Sequence, residues 1–155
     1  MLAKKALLDN TYFCVGCHSC EIACKQIHEL PVGVFRIKVE KIGPKYNKNG
    51  KLFMKFKLIR CMQCEKPQCV DVCPTGALKK RDDGIVTVDR GLCNGCKQCM
   101  EACPIHAIWF NPETGSIEKC DLCVDKNLEV PFCVKHCMSK VLYHNETIYS
   151  SWIPW

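Results

Sequence analysis

Residues 93–104 read Cys-Asn-Gly-Cys-Lys-Gln-Cys-Met-Glu-Ala-Cys-Pro, a C-x2-C-x2-C-x3-C run closed by Pro104. The same spacing stands upstream at Cys14, Cys17, Cys20 and Cys24. Between these two runs, Cys61, Cys64, Cys69 and Cys73 repeat it with one gap widened, and Pro74 follows. Downstream, Cys120, Cys123, Cys133 and Cys137 keep the first and last steps of the pattern around a long central gap. The four groups of four use all sixteen cysteines of the 155 residues. A density of about a tenth signals covalent or metal cross-linking in place of core volume in so short a chain.

The groups sit inside an internal repeat. From Cys73 the chain runs CPTGALKKRDDGIVTVDRGLCNGC, and from Cys103 it runs CPIHAIWFNPETGSIEKCDLC. Both read Cys-Pro, two residues, Ala, an aliphatic, a polar turn with glycine, a short strand and the next C-x2-C. Asp83-Gly84 and the segment Asn111 to Gly115 are hairpin-turn signals. A repeat of this kind marks a repeated fold unit.

The spacing has a geometric meaning. Thiolates at i, i+3 and i+6 can wrap three iron corners of a cubane from one loop, which leaves the fourth corner for a distant cysteine. In two-cluster ferredoxins the fourth cysteine of such a run therefore ligates the other cluster. That crossing puts Cys61, Cys64, Cys69 and Cys103 on one [4Fe–4S] cluster and Cys73, Cys93, Cys96 and Cys99 on its partner. It likewise pairs Cys14, Cys17, Cys20 and Cys137 on a third, and Cys24, Cys120, Cys123 and Cys133 on a fourth. Four clusters are the cofactors this reading implies. Zinc also accepts paired C-x2-C, but a structural zinc site has no use for a C-x2-C-x2-C triplet. Cys14 to His18 is a literal C-x-x-C-H, the attachment sequence of c-type haem, yet that use would orphan Cys20 and Cys24. Disulfides require an oxidising compartment.

The compartment follows from the N-terminus. Met1 to Asn10 has only Ala6, Leu7 and Leu8 as an apolar run and carries no twin arginine, so no secretory signal is expected. No stretch approaches a membrane span in length, and the chain reads as cytoplasmic. The formal charge of +6 counts every cysteine as neutral. Four thiolate-bound clusters carry about −8 together and bring the oxidised protein to about −2, so the basic balance is a counterweight and no nucleic-acid partner is implied. Neither a G-x-G-x-x-G nor a Walker sequence is present. His28, His106, His136 and His144 accompany no hydrolytic pattern and read as surface residues or as surroundings of the clusters.

Two cysteine-free stretches remain. Val34 to Ile42 alternates, with Phe35, Ile37 and Val39 on one face and charges between, and Lys51 to Ile59 repeats that character. Asn49-Gly50 closes the loop between them, which predicts a β-hairpin whose lysines face solvent. Cys20 to Leu30 suits a short helix stopped at Pro31. At the other end, Trp152 and Trp155 lie in an aromatic tail suited to docking a partner.

These groups, in this order, resemble the four-cluster iron–sulfur subunits of molybdenum and tungsten bis-pterin oxidoreductases. The dimethyl sulfoxide reductase, formate dehydrogenase and tungsten aldehyde oxidoreductase types belong to that family. The resemblance covers roughly residues 10–140, and it departs from many relatives at Cys137-Met138, where proline often follows the cysteine. It implies an α+β fold of two pseudo-symmetric ferredoxin-like units with a β-hairpin insert. Residues 1–30 with 113–140 are then the outer unit, 31–60 the insert, 61–112 the inner unit and 141–155 the docking tail. It further implies a non-catalytic electron-transfer subunit of a hetero-oligomer. Its partners are a catalytic subunit holding molybdenum or tungsten, of the aldehyde or formate type, and a further electron-accepting subunit. A hydrogenase or carbon monoxide dehydrogenase wire, or a free polyferredoxin, are the alternatives.

Overall fold

The computed structural model describes residues 7–144. The fold is α+β, built from four short helices and four two-stranded antiparallel sheets. The helices are α1 (Ser19–His28), α2 (Gln68–Asp71), α3 (Gln98–Ala102) and α4 (Phe132–Lys135). The strands are β1 (Leu7–Asp9), β2 (Ile37–Tyr46), β3 (Leu52–Arg60), β4 (Leu78–Lys80), β5 (Val86–Val88), β6 (Ile108–Asn111), β7 (Ser116–Lys119) and β8 (Leu142–His144).

Local chemistry sets these elements. Helix α1 buries Cys20, Ala23, Cys24 and His28, one stripe at helical spacing. It ends three residues before Pro31: Glu29 turns left-handed and the Leu30 amide donates to the Lys25 carbonyl at 3.0 Å, a Schellman-type closure. β4–β5 and β6–β7 are the hairpins signalled by Asp83-Gly84 and by Asn111 to Gly115. In β2–β3, Ile37 pairs with Arg60 and Tyr46 with Leu52, and the register shifts between Ile42 and Lys45, where Pro44 has no amide hydrogen to offer. Its lysines at 41, 45, 48, 51, 55 and 57 are exposed.

Two findings correct the sequence reading. Phe35 precedes β2 and is only half-buried, packed edge-on against Trp109 at 5.9 Å, while Arg36, assigned by alternation to the wet face, is buried. The tail also begins later than residue 141. Val141, Leu142 and His144 are buried, and β8 pairs with β1, Leu7 opposite His144 and Asp9 opposite Leu142. Trp152 and Trp155 lie outside the described residues.

The core has two parts. The larger joins Ile37, Val39 and Leu58 of the hairpin to Leu7, Ile85, Leu122, Leu142 and the cysteines of groups one and four other than Cys17. The smaller is made by Leu78, Val86, Ile108 and Ile117 around Cys99. Cysteine thiols are themselves core atoms in both.

Candidate metal centres

Each C-x2-C loop bends the same way. The residue just before the second cysteine takes a left-handed conformation in every group: Gly16, Gln63, Gly95 and Leu122, with φ of 66°, 51°, 70° and 61°. Such turns direct successive backbone amides inward and make concavities suited to anionic centres. A second shared turn follows the last cysteine of groups two, three and four. Gly76, His106 and Lys140 are left-handed, and their amides donate to the carbonyls of Cys73, Cys103 and Cys137 at 3.3, 3.0 and 3.2 Å. The missing proline at Met138 therefore leaves that turn intact.

The loops gather the cysteines across groups. Cys24, from group one, lines a cavity with Cys120, Cys123 and Cys133 of group four. Cys137, from group four, lines another with Cys14, Cys17 and Cys20. Cys73, from group two, lines a third with Cys93, Cys96 and Cys99. In the remaining quartet, the thiols of Cys64 and Cys69 are raised by burial and then by Cys61 and Cys103, which lie within electrostatic reach of both.

Burial and the neighbouring thiols act together on most of these groups. Cys20 is pushed up to about 12 by burial and then by Glu21 and nearby thiols, and Cys120 to about 12 by burial. Cys69 and Cys99 rise to about 11 for the same reasons, and Cys24 and Cys133 are pushed well up, by burial first. Cys17 moves the other way, because Ser19 hydrogen-bonds its sulfur. Buried, mutually repelling thiols cannot all become thiolates unless a cation replaces their protons, and a metal does so outright. Four sulfurs around each of the three concavities fit an iron–sulfur cubane; His28 and Asp121 also line the first, where Arg36 pairs with Asp121 and with the neighbouring Asp125.

The quartets lie in a row. The charge of Cys69 acts on Cys99, that of Cys61 on Cys120, and that of Cys20 on Cys133. The order is thus Cys73/93/96/99, Cys61/64/69/103, Cys24/120/123/133 and Cys14/17/20/137.

Several residues that shape these centres were not visible in the sequence. Buried Arg36 holds Glu118 at 2.9 Å, Asp121 at 3.1 Å and Asp125 at 3.0 Å, beside Cys24 and Cys123. These charges hold the Asp125 carboxyl well below the usual carboxylate range despite its burial, with His28 and Arg36 as the causes. His28 Nε2 lies 3.4 Å from Cys123 Sγ, so this histidine belongs to the surroundings of a centre. Gln63 is fully buried and joins the Cys120 carbonyl to the Val86 amide. Among the described residues, no helix is long and apolar enough to cross a membrane.

Comparison with known proteins fits this arrangement. Residues 52–147 and, overlapping them, residues 13–77 each match a 4Fe-4S dicluster domain. The thiosulfate reductase electron transfer subunit of Salmonella typhi is 39% identical over 88% of this chain and 72% of its own length. The B subunit of the Wolinella succinogenes polysulfide reductase is 39% identical over 92% and 76%, and that of the Escherichia coli anaerobic dimethyl sulfoxide reductase 41% over 83% and 67%. With sixteen cysteines grouped as four quartets, the chain carries four [4Fe–4S] clusters and belongs to the family of iron–sulfur electron-transfer subunits of molybdenum-pterin oxidoreductases.

Proposed function

We propose that this chain is the non-catalytic wire of such a complex, with its clusters held by the crossed quartets. The observation that carries this reading is the lining of three separate cavities by three cysteines of one group and the last cysteine of another. When bound, the clusters supply one-electron storage and transfer, at potentials tuned by charge, hydrogen bonds to sulfur and exposure. The chain's residues do the rest. The left-handed loops aim amides at the sulfurs, and the hairpin residues Val39 and Leu58 cover the Cys14/17/20/137 centre. Cys17 and Cys96, at the two ends of the row, are exposed and offer points of entry and exit. Two ferredoxin-like units, 1–30 with 113–140 and 61–112, flanking the insert 31–60, account for the repeated turns.

The catalytic partner holds a molybdenum or tungsten pterin and performs the substrate chemistry. Its type is that of the thiosulfate, polysulfide or dimethyl sulfoxide reductases, which the named relatives support over the aldehyde or formate type. A further subunit exchanges electrons at the other end of the row. We read the compartment as the cytoplasm, where sixteen thiols stay reduced. Elemental analysis of the complex isolated anaerobically with this chain tests the proposal. Molybdenum or tungsten with pterin, alongside iron, is expected; nickel, or iron with no second metal in a free chain, would overturn it.

A further inference from the structure

Lys119 is the largest fully buried side chain among the described residues, with 2% of its surface exposed. Its Nζ donates to the carbonyl of Val86 and, at 2.8 Å, to that of Cys120. Both partners are neutral carbonyl acceptors, so the two hydrogen bonds bring no counter-charge to Nζ. The hydrogen bonds close a ring. Gln63 Nε2 donates to the same Cys120 carbonyl at 2.8 Å, and the Val86 amide donates to Gln63 Oε1 at 2.9 Å. Gln63 lies inside the Cys61–Cys64 loop and Lys119 directly precedes Cys120, so this ring is the junction between the second and third quartets of the row.

A buried ammonium without an opposing charge is strongly disfavoured. The nearby carboxylates are already matched. Glu118 is held by Arg36 and Arg90, and Asp121 and Asp125 by Arg36. Within the ring no carboxylate faces Nζ. The thiolates do: the Lys119 charge acts on Cys64 and Cys69 on one side and on Cys120 on the other. In the end quartets, Cys20 feels burial, Glu21 and its own quartet, and Cys99 feels burial, Cys69 and its own quartet. The counter-charge of Lys119 is therefore supplied by the contents of the two middle quartets.

We propose that Lys119, fixed at this junction by Gln63, raises the reduction potentials of the two middle clusters relative to the two at the ends. A fixed positive charge stabilises the reduced, more negative state of whatever lies beside it, and net local charge is one of the terms that set cluster potential. An electron then finds a shared low-energy stage in the middle of the row. Lys119 is a positioning residue for charge and touches no substrate. The proposal rests on the crossed ligation described above.

The test is a potentiometric titration of the anaerobically purified complex with dithionite, followed by electron paramagnetic resonance. Signals are assigned through one Cys→Ser variant per quartet. In Lys119→Met the reduction equilibria of the two middle clusters are expected to weaken about tenfold, about 59 mV for one electron. The end clusters are expected to move far less, and Lys119→Arg to stay near the parent protein. Equal shifts in all four clusters, no shift, or an Arg variant that behaves like Met would overturn the proposal. If Lys119→Met fails to hold iron, Gln63→Glu decides. That variant adds a negative charge at the same point and is expected to lower the same two potentials; unchanged middle potentials would sink the idea. Fewer than four signals in the parent complex, with the Met and Arg variants equally altered in number, would indict the ligand reading instead.

Discussion

Cys24, Cys120, Cys123 and Cys133 are all buried, whereas in the quartet of Cys73, Cys93, Cys96 and Cys99 only Cys99 is. The loops are alike, so the difference comes from what covers them. Groups one and four share a core with Ile37, Val39 and Leu58 of the long hairpin and with the β1–β8 pair that joins the two ends of the described chain. Apart from Cys61, which packs against that larger core, groups two and three are covered by the short β4–β5 and β6–β7 hairpins, through Leu78, Val86, Ile108 and Ile117. The comparison teaches that cluster ligation and cluster insulation are separate tasks here. Short repeated loops perform the first, and added strands perform the second on one side only.

The largest expected effect separates the two regions by ligand removal. Cys133→Ala removes a proposed ligand that is also core, beside Cys20 and Cys120, and is expected to cost that side of the protein its folded structure along with its iron. Cys96→Ala is expected to lose roughly one cluster in four while the rest stays loaded. Iron per chain and near-ultraviolet circular dichroism distinguish them; equal losses would break the comparison.

A smaller effect is expected at the buried charge network. Arg36→Met leaves Glu118, Asp121 and Asp125 without their common partner. Breaking a buried pair on one side costs about 3–5 kcal/mol. Denaturant unfolding of the loaded protein should show that loss, and a cost below about 1 kcal/mol, the value of an exposed pair, would contradict the network's role.

The smallest effect sharpens the comparison at two equivalent glycines. A Cβ on Gly16 would meet the Phe56 ring at 2.2 Å, and one on Gly95 would meet the Gly115 carbonyl oxygen at 2.7 Å. Each Gly→Ala change is expected to cost about 1–3 kcal/mol, from the left-handed backbone and from overpacking. Adding Phe56→Leu should recover part of the cost of Gly16→Ala, because its obstacle is a side chain. Adding Phe110→Leu should recover almost nothing of Gly95→Ala, because its obstacle is backbone. A double-mutant cycle on melting temperature reads the difference.

The parts legible in the sequence were those that depend on short spacings. The four cysteine groups, helix α1, the hairpin turns at Asp83-Gly84 and Asn111 to Gly115, and the wet lysines of β2–β3 all follow from neighbours a few residues apart. The parts that were not legible depend on distant partners. Arg36 alternates like a solvent-facing charge, and only Glu118 and Asp121, more than eighty residues away, account for its burial. Leu142 and His144 read as the start of the docking tail because their cover includes β1 at the other end of the described residues. Gln63 and Lys119 carried no periodic signal, since each is buried by hydrogen bonds to backbone and not by apolar packing.

Pairwise signal loss tests the crossing of ligands between groups. Cys→Ser variants at 20, 24, 133 and 137 are compared by electron paramagnetic resonance in the reduced complex. Cys24 and Cys133 are expected to abolish one and the same cluster signal, and Cys20 and Cys137 another. If Cys20 and Cys24 abolish the same signal instead, each group holds its own cluster and the account is wrong.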